Sequence, residues 1–191
     1  MIMAERLVVL SDMWGSRRGL WITSYLGYLQ QYFDIVYYDS QELAGLDLVV
    51  KTRENLSKAL SQGGYDTAVT QLLAREKTPS HYLSFCVGGT LAWKAALKGL
   101  PMKSFYAISP PSLEREQLKP DCPVKLLYGE LHQERPGADW ADPMQVNMRV
   151  EPKFGQELYS DEKIIRKVCL ELLEEFMRKK HKSFTRPLSI S

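Results

Sequence analysis

Histidine is scarce in this chain: three among 191 residues, at His81, His132 and His181. That leaves few candidates for a general base near neutral pH. Cysteine is equally scarce. Cys86, Cys122 and Cys169 are odd in number and widely spaced, which excludes a disulfide framework and a zinc ligand set and fits a reducing compartment. No apolar run approaches the roughly 20 residues of a membrane span. Met1 leads almost directly into an apolar strand, without the charged, apolar and small regions of a signal peptide. Net charge is only +2, and no basic stripe interleaved with aromatics appears, so a nucleic-acid partner is excluded. Internal repeats, low-complexity tracts and linkers are absent as well. The expectation is a cytoplasmic protein with no membrane partner, no cofactor and no metal. The oligomeric state is not fixed by the sequence.

What is present is ordinary for a folded domain: 45% hydrophobic and 25% charged residues. The length suits one domain over residues 1–180 followed by a flexible tail over 181–191, which lacks a pattern. Leu7 to Ser11 reads as a first strand, closed by the turn Asp12-Met13-Trp14-Gly15. Trp21 to Phe33 has helical spacing, with Ile22, Tyr25, Leu26, Leu29 and Phe33 on one face. Asp34 to Tyr38 is a second strand. Residues 41–64 are mixed, with Asn55 to Leu60 weakly helical, and Asp66 to Arg75 is a helix. Ser104 to Ile108, Pro123 to Tyr128 and Gln145 to Val150 are later strands. Ser112 to Leu118 is a helical turn, and Glu130 to Pro143 a polar loop holding Trp140. The last helix is the clearest: Ile164, Val168, Leu172 and Phe176 run beside Ile165, Cys169, Leu173 and Met177 in one apolar stripe. Ser160 is its expected N-cap, with Asp161 and Glu162 at the positive end of the dipole and Arg178, Lys179 and Lys180 at the negative end. Alternating strands and helices predict an α/β fold with a mostly parallel sheet of about six strands, flanked by helices on both faces.

The most informative stretch is His81 to Gly99. A short apolar run, His81 to Phe85, meets Cys86-Val87-Gly88-Gly89, and Thr90 to Leu100 then keeps helical spacing. Strand, tight turn and helix with a thiol at the apex is the geometry of a nucleophile elbow. Ser84-Phe85-Cys86-Val87-Gly88-Gly89 resembles the elbow of the α/β-hydrolase superfamily, most of all the G-x-C-x-G-G pattern of its dienelactone hydrolase branch, with Ser84 in place of the first glycine. The resemblance implies a minimal α/β-hydrolase fold with Cys86 as nucleophile. It further implies an oxyanion hole made by the backbone N–H of Val87 and one from Met13 or Trp14, in a pocket that includes Asp12. Trp140 either roofs that pocket or packs its loop. A helix N-terminus at Cys86 is expected to lower its thiol pKa. Arg17 and Arg18 suit a substrate carboxylate or, more simply, a solvated helix start.

The same resemblance places the catalytic acid after the strand ending Leu127-Tyr128-Gly129 and the catalytic base in the turn before the last helix. This chain has His132 at the first position and Gln156 at the second. Glutamine cannot take up a proton near neutral pH, and loss of general acid–base help typically costs about 10²–10⁴-fold. The first expectation is therefore a weak or inactive hydrolase that keeps a pocket for a small-molecule acyl compound or a partner. A second is an active cysteine hydrolase of esters, lactones or thioesters in which His132 pairs directly with Cys86, oriented by Glu130 or Glu134. Against it stands the plain reading of His132 as a solvent-facing loop residue. A third treats Cys86 as a redox or alkylation sensor.

Overall fold

Short apolar runs in the sequence become the strands of a single six-stranded sheet in the computed structural model, which describes residues 4–17 and 19–184. The strands are β1 (Glu5–Leu10), β2 (Phe33–Tyr38), β3 (Ser80–Phe85), β4 (Met102–Ile108), β5 (Val124–Gly129) and β6 (Asn147–Glu151). Every neighbouring pair is parallel, in the order β2-β1-β3-β4-β5-β6. Among the described residues, seven α-helices connect and cover them: α1 (Leu20–Leu29), α2 (Ser40–Leu43), α3 (Arg53–Ala59), α4 (Tyr65–Arg75), α5 (Val87–Leu97), α6 (Ala138–Met144) and α7 (Glu162–Phe184).

The central strands are apolar without alternation because both faces of the sheet are covered. Leu7, Val8, Val9 and Leu10 are all fully buried. Side chains still alternate between faces. Phe85 meets Trp21 and Tyr25 of α1 at ring separations of 4.7 Å, and Phe33 meets Phe176 of α7 at 4.9 Å. On the other face Phe105 lies against Trp93 of α5, and α4 packs beside α5. One face therefore belongs to α1 and α7, the other to α4 and α5. The chain leaves β1 for β2 on one side and returns to β3 on the other. That reversal opens a crevice at the carboxyl ends of β1 and β3, the place where open α/β sheets bind ligands.

Several element boundaries differ from expectation. The first helix ends at Leu29 rather than Phe33. Phe33 begins β2, because its ring is needed against α7. The Cys86 turn leads straight into α5 at Val87, three residues before the expected Thr90. The last strand is Asn147–Glu151, since Gln145 takes a left-handed φ of 53° that closes α6. Within the expected polar loop 130–143, α6 forms around Trp140, and within 41–64 α2 is capped by the Asp39 carboxylate. The cap of α7 is Asp161, not Ser160: the Asp161 carboxylate accepts from the Lys163 N–H at 2.9 Å, while the Ser160 hydroxyl donates to the Glu157 carbonyl. The helix continues through Phe184, so the patternless stretch expected from His181 is helical to that point; residues 185–191 and Arg18 lie outside the described residues. Among the described residues, no helix is long and apolar enough to cross a membrane.

Candidate active site around Cys86

The backbone at Cys86 is held in a conformation few non-glycine residues adopt, φ 47° and ψ −123°. Positive φ of this kind persists only where surroundings enforce it. Here the Cys86 N–H donates to the Ile108 carbonyl at 2.8 Å, and the Gly89 N–H donates to the Cys86 carbonyl at 2.9 Å. The glycines that follow are dictated by contact. A Cβ on Gly88 would sit 2.4 Å from the Ser11 carbonyl oxygen, and one on Gly89 would sit 2.8 Å from Pro110 Cβ. Ser84 lies under the turn, fully buried, with its hydroxyl 3.4 Å from where that second Cβ would be. A small residue is required there, and serine satisfies it as glycine would.

The loop after β1 supplies the facing wall. Asp39 fixes it: its carboxylate accepts from the Ser16 N–H at 2.7 Å and occupies the space where a Gly15 side chain would project, Gly15 taking a φ of +66°. The Gln41 amide holds the Met13 carbonyl at 2.7 Å. In this arrangement the backbone N–H groups of Val87 and Met13 both act on the Cys86 sulfur. The Trp14 N–H is not available to it, because it donates to the Asp12 carboxylate at 3.0 Å.

The Cys86 thiol is nevertheless not the ready thiolate that a helix N-terminus alone would make. It is 1% exposed. Burial, and then the nearby Asp12 charge, push its pKa up to about 12, against the backbone and Gln156 donors that favour the anion. The expectation of a lowered pKa is thus corrected. Removal of water and a neighbouring carboxylate outweigh the dipole. Asp12 itself is 2% exposed. Desolvation raises its carboxyl to about 6, although the Trp14 N–H and the Tyr159 hydroxyl, at 3.2 Å, both donate to it. Sulfur and carboxyl group are thus both buried, and the Asp12 charge acts on the thiol.

Gln156 lies against the thiol. Its amide Nε2 donates to Cys86 Sγ at 3.4 Å, and its Oε1 accepts from Arg53 Nη1 at 2.7 Å. The guanidinium also pairs with Glu157 at 3.0 Å and lies over the Trp14 ring. Because Arg53 has only donors, it fixes which end of the Gln156 amide faces sulfur. Met13, Val87 and Gln156 line a pocket of about 270 Å³ together with Arg53, Tyr65 and Thr90. The buried thiol meets that lining through its bond to Gln156.

His132 behaves differently from either reading of it. It is 5% exposed, so it is no solvent-facing loop residue. Neither ring nitrogen has a hydrogen-bond partner, so it is not bonded to Cys86. The ring packs edge-on against Tyr128, and burial lowers its pKa. The two carboxylates expected to orient it are engaged elsewhere: Glu130 accepts from the Lys153 N–H and Glu134 from the Ser112 hydroxyl. His132 does share a neighbourhood with Gln156. The Leu131 N–H bonds the Phe154 carbonyl at 2.9 Å, and a Cβ on Gly129 would collide with the carbonyls of Phe154 and Gly155. Trp140 does not roof the pocket. It packs its loop, with its ring against Trp93 and its N–H on the Glu116 carbonyl at 2.9 Å. His81 stands at the opposite end of β3, bonded to Ser104. Arg53 and Tyr159 are the site residues that sequence reasoning missed. Each acts through a residue more than a hundred positions away, and no local spacing marks either. Among the described residues, no group of three His, Cys, Asp or Glu could hold a metal ion.

No protein-family model and no curated protein matches the chain. Solved structures do. A protein from Xanthomonas campestris assigned as a hydrolase of the α/β superfamily superposes with a TM-score of 0.65 at 17% identity, over 90% of this chain and 99% of that one. One from Klebsiella pneumoniae assigned as a dienelactone hydrolase gives 0.67 at 15% identity, over 91% and 88%. Mouse alpha/beta hydrolase domain-containing protein 10 gives 0.64 at 11% identity, over 93% and 92%. Identities this low speak to architecture, and the architecture agrees along nearly the whole length: this chain has the α/β-hydrolase fold, in a minimal six-stranded form.

Proposed function

We propose that this protein binds a small acyl compound in the pocket above Cys86 and hydrolyses it weakly or not at all. The observation that carries the reading is the Gln156 amide, held by Arg53 and donating to Cys86 Sγ at 3.4 Å. It occupies the place where hydrolysis needs a proton acceptor, and an amide cannot titrate there. A thiol raised to about 12 adds to the difficulty. In this reading Cys86 sits at a nucleophile elbow, Val87 and Met13 would hold a substrate carbonyl oxygen, and His132 fills the acid position without acting on Cys86. The three unpaired cysteines support a place in the reducing cytoplasm.

Release of p-nitrophenol from short acyl esters tests the proposal, with wild type and Cys86→Ala compared in burst and steady state. The expected result is at most a stoichiometric burst that Cys86→Ala abolishes. Sustained turnover lost in both Cys86→Ala and His132→Ala would overturn it in favour of a working Cys86–His132 hydrolase. The double variant H132D/Q156H tests the placement of the late loops. It should create esterase activity by restoring a carboxylate and an imidazole at the two positions. A folded double variant with no gain would mean that these positions do not converge on Cys86 as inferred.

A further inference from the structure

Helix α3 borders the Cys86 pocket and is held there by few attachments. Arg53 and Ser57 line the pocket, with Leu60 and Ser61 just beyond the helix. Leu56 is the buried side chain of α3, and it stands outside the main hydrophobic core. Among the described residues, no backbone hydrogen bond joins residues 47–59 to the sheet, to the loop after β1 or to the approach to α7. Lys51, ahead of the helix, is tethered to the Gln41 amide oxygen at 2.7 Å. Behind it the chain enters α4 through a kink. Gln62 and Gly63 leave helical geometry there, Gly63 at a φ of +120° that suits glycine alone, and nothing stands within 4 Å of its Cβ position. A break of this kind at the end of an element is where a hinge absorbs its change in φ and ψ.

The opposite end of α3 is pinned by one side chain. Arg53 Nη1 donates to Gln156 Oε1 at 2.7 Å, Nη2 donates to Glu157 at 3.0 Å, and the guanidinium lies over the Trp14 ring. Both partners of the Arg53–Glu157 pair are about half exposed, so water and salt compete for it. The far end of the same Gln156 amide rests on Cys86 Sγ, and the sulfur's residue is 1% exposed although Gln156 and Val87 line an open pocket. A solute cannot reach the sulfur while that amide stays in place. We propose that α3 is a lid over Cys86, hinged at the Gly63 kink and latched shut by Arg53 on Gln156 and Glu157. Opening carries Arg53 away, frees the Gln156 amide to turn off the sulfur, and admits solute to the thiol. The lid rests on the proposed ligand pocket above Cys86 and adds control of entry to it.

Alkylation by iodoacetamide at pH 8, on the full chain and read cysteine by cysteine from peptide masses, tests the inference. The reagent is neutral, so salt acts on the protein alone. The wild-type rate at Cys86 should rise as salt goes from about 0.05 M to about 0.5 M, which screens the exposed latch. R53A should react about fivefold faster or more, through loss of the ion pair and a charged hydrogen bond, and show no rise with salt. Electrostatics alone predicts the opposite sign, because removing a cation near the thiol disfavours the thiolate. L56A should also react faster, although Leu56 does not line the pocket, because it loosens the helix and leaves the latch residues intact. Cys169, buried in α7, should keep its wild-type rate in both variants. A folded R53A that reacts no faster than wild type overturns the lid, as does a wild-type rate indifferent to salt. Acceleration shared equally by Cys169 overturns it too, since the whole fold would then be loosening. A folded L56A unchanged at Cys86 does the same, because side-chain motion alone would account for access. Circular dichroism establishes folding, and if L56A is unfolded, R53A and the salt series decide. The readout needs neither turnover nor a bound acyl compound, so sustained ester hydrolysis would overturn the proposed weak activity and leave the lid standing.

Discussion

Taking water away from a carboxylate favours its protonated form, and Asp12 shows the cost at a single residue. Its pKa of about 6 in the fold stands against an ordinary aspartate value of 3.8. The folded state therefore holds the proton more tightly, and its advantage is lost as pH rises through 6. At pH 8 the ionised group opposes folding by roughly 3 kcal/mol, from about two pKa units at 1.36 kcal/mol each. Asp12→Asn should melt higher than wild type at pH 8, with the difference vanishing below pH 4. An equal difference at both values would show that Asp12 is not desolvated. The same substitution should speed alkylation of Cys86 by iodoacetamide, because the Asp12 charge is one cause of the raised thiol pKa. The thiol would stay above its ordinary value, since burial is the larger cause. His132 works in the opposite direction. Burial lowers its pKa, so the unfolded chain takes up a proton first. The stability of the neutral buried ring is complete above about 6.5 and lost as pH falls below it. Wild type should lose more stability to urea between pH 7 and pH 5 than His132→Gln does.

At the scale of elements, close approach decides more than propensity. The α5 turn meets the end of β1 through Gly88, whose added Cβ would strike the Ser11 carbonyl at 2.4 Å. Backbone cannot yield as a side chain can, so Gly88→Ala should lose about 1–3 kcal/mol in urea unfolding, the usual range for overpacking. Gly27, mid-helix in α1, has nothing within 4 Å of its Cβ position. Gly27→Ala should gain about 0.5–1 kcal/mol through helix propensity and a less free unfolded chain. The entry to α7 gives a finer contrast. Asp161→Ala should cost about 1 kcal/mol, the worth of an N-cap. Ser160→Ala should cost less, because its hydroxyl caps no helical N–H.

At the scale of the molecule, the sheet reversal between β1 and β3 brings four distant segments to one crevice. Asp12 and Met13 come from the end of β1, Cys86 from the end of β3, Arg53 from α3, and Gln156 and Tyr159 from the approach to α7.

The sequence by itself determined the order of strands and helices, because burial on both faces of a parallel sheet writes unbroken apolar runs and a buried helix stripe directly into it. It determined the strand–turn–helix at Cys86 too, since only small residues fit beneath and after that turn. The two unusual residues at His132 and Gln156 were legible as departures from a pattern. What tertiary structure decided was their behaviour. Local spacing could not reveal that Arg53 orients the Gln156 amide, that Tyr159 reaches Asp12, or that His132 is buried without a partner. Nor could it weigh the helix dipole against desolvation at Cys86. Composition and spacing report which groups a chain owns. How much water remains around each, which sets charge and reactivity, depends on segments the sequence keeps far apart.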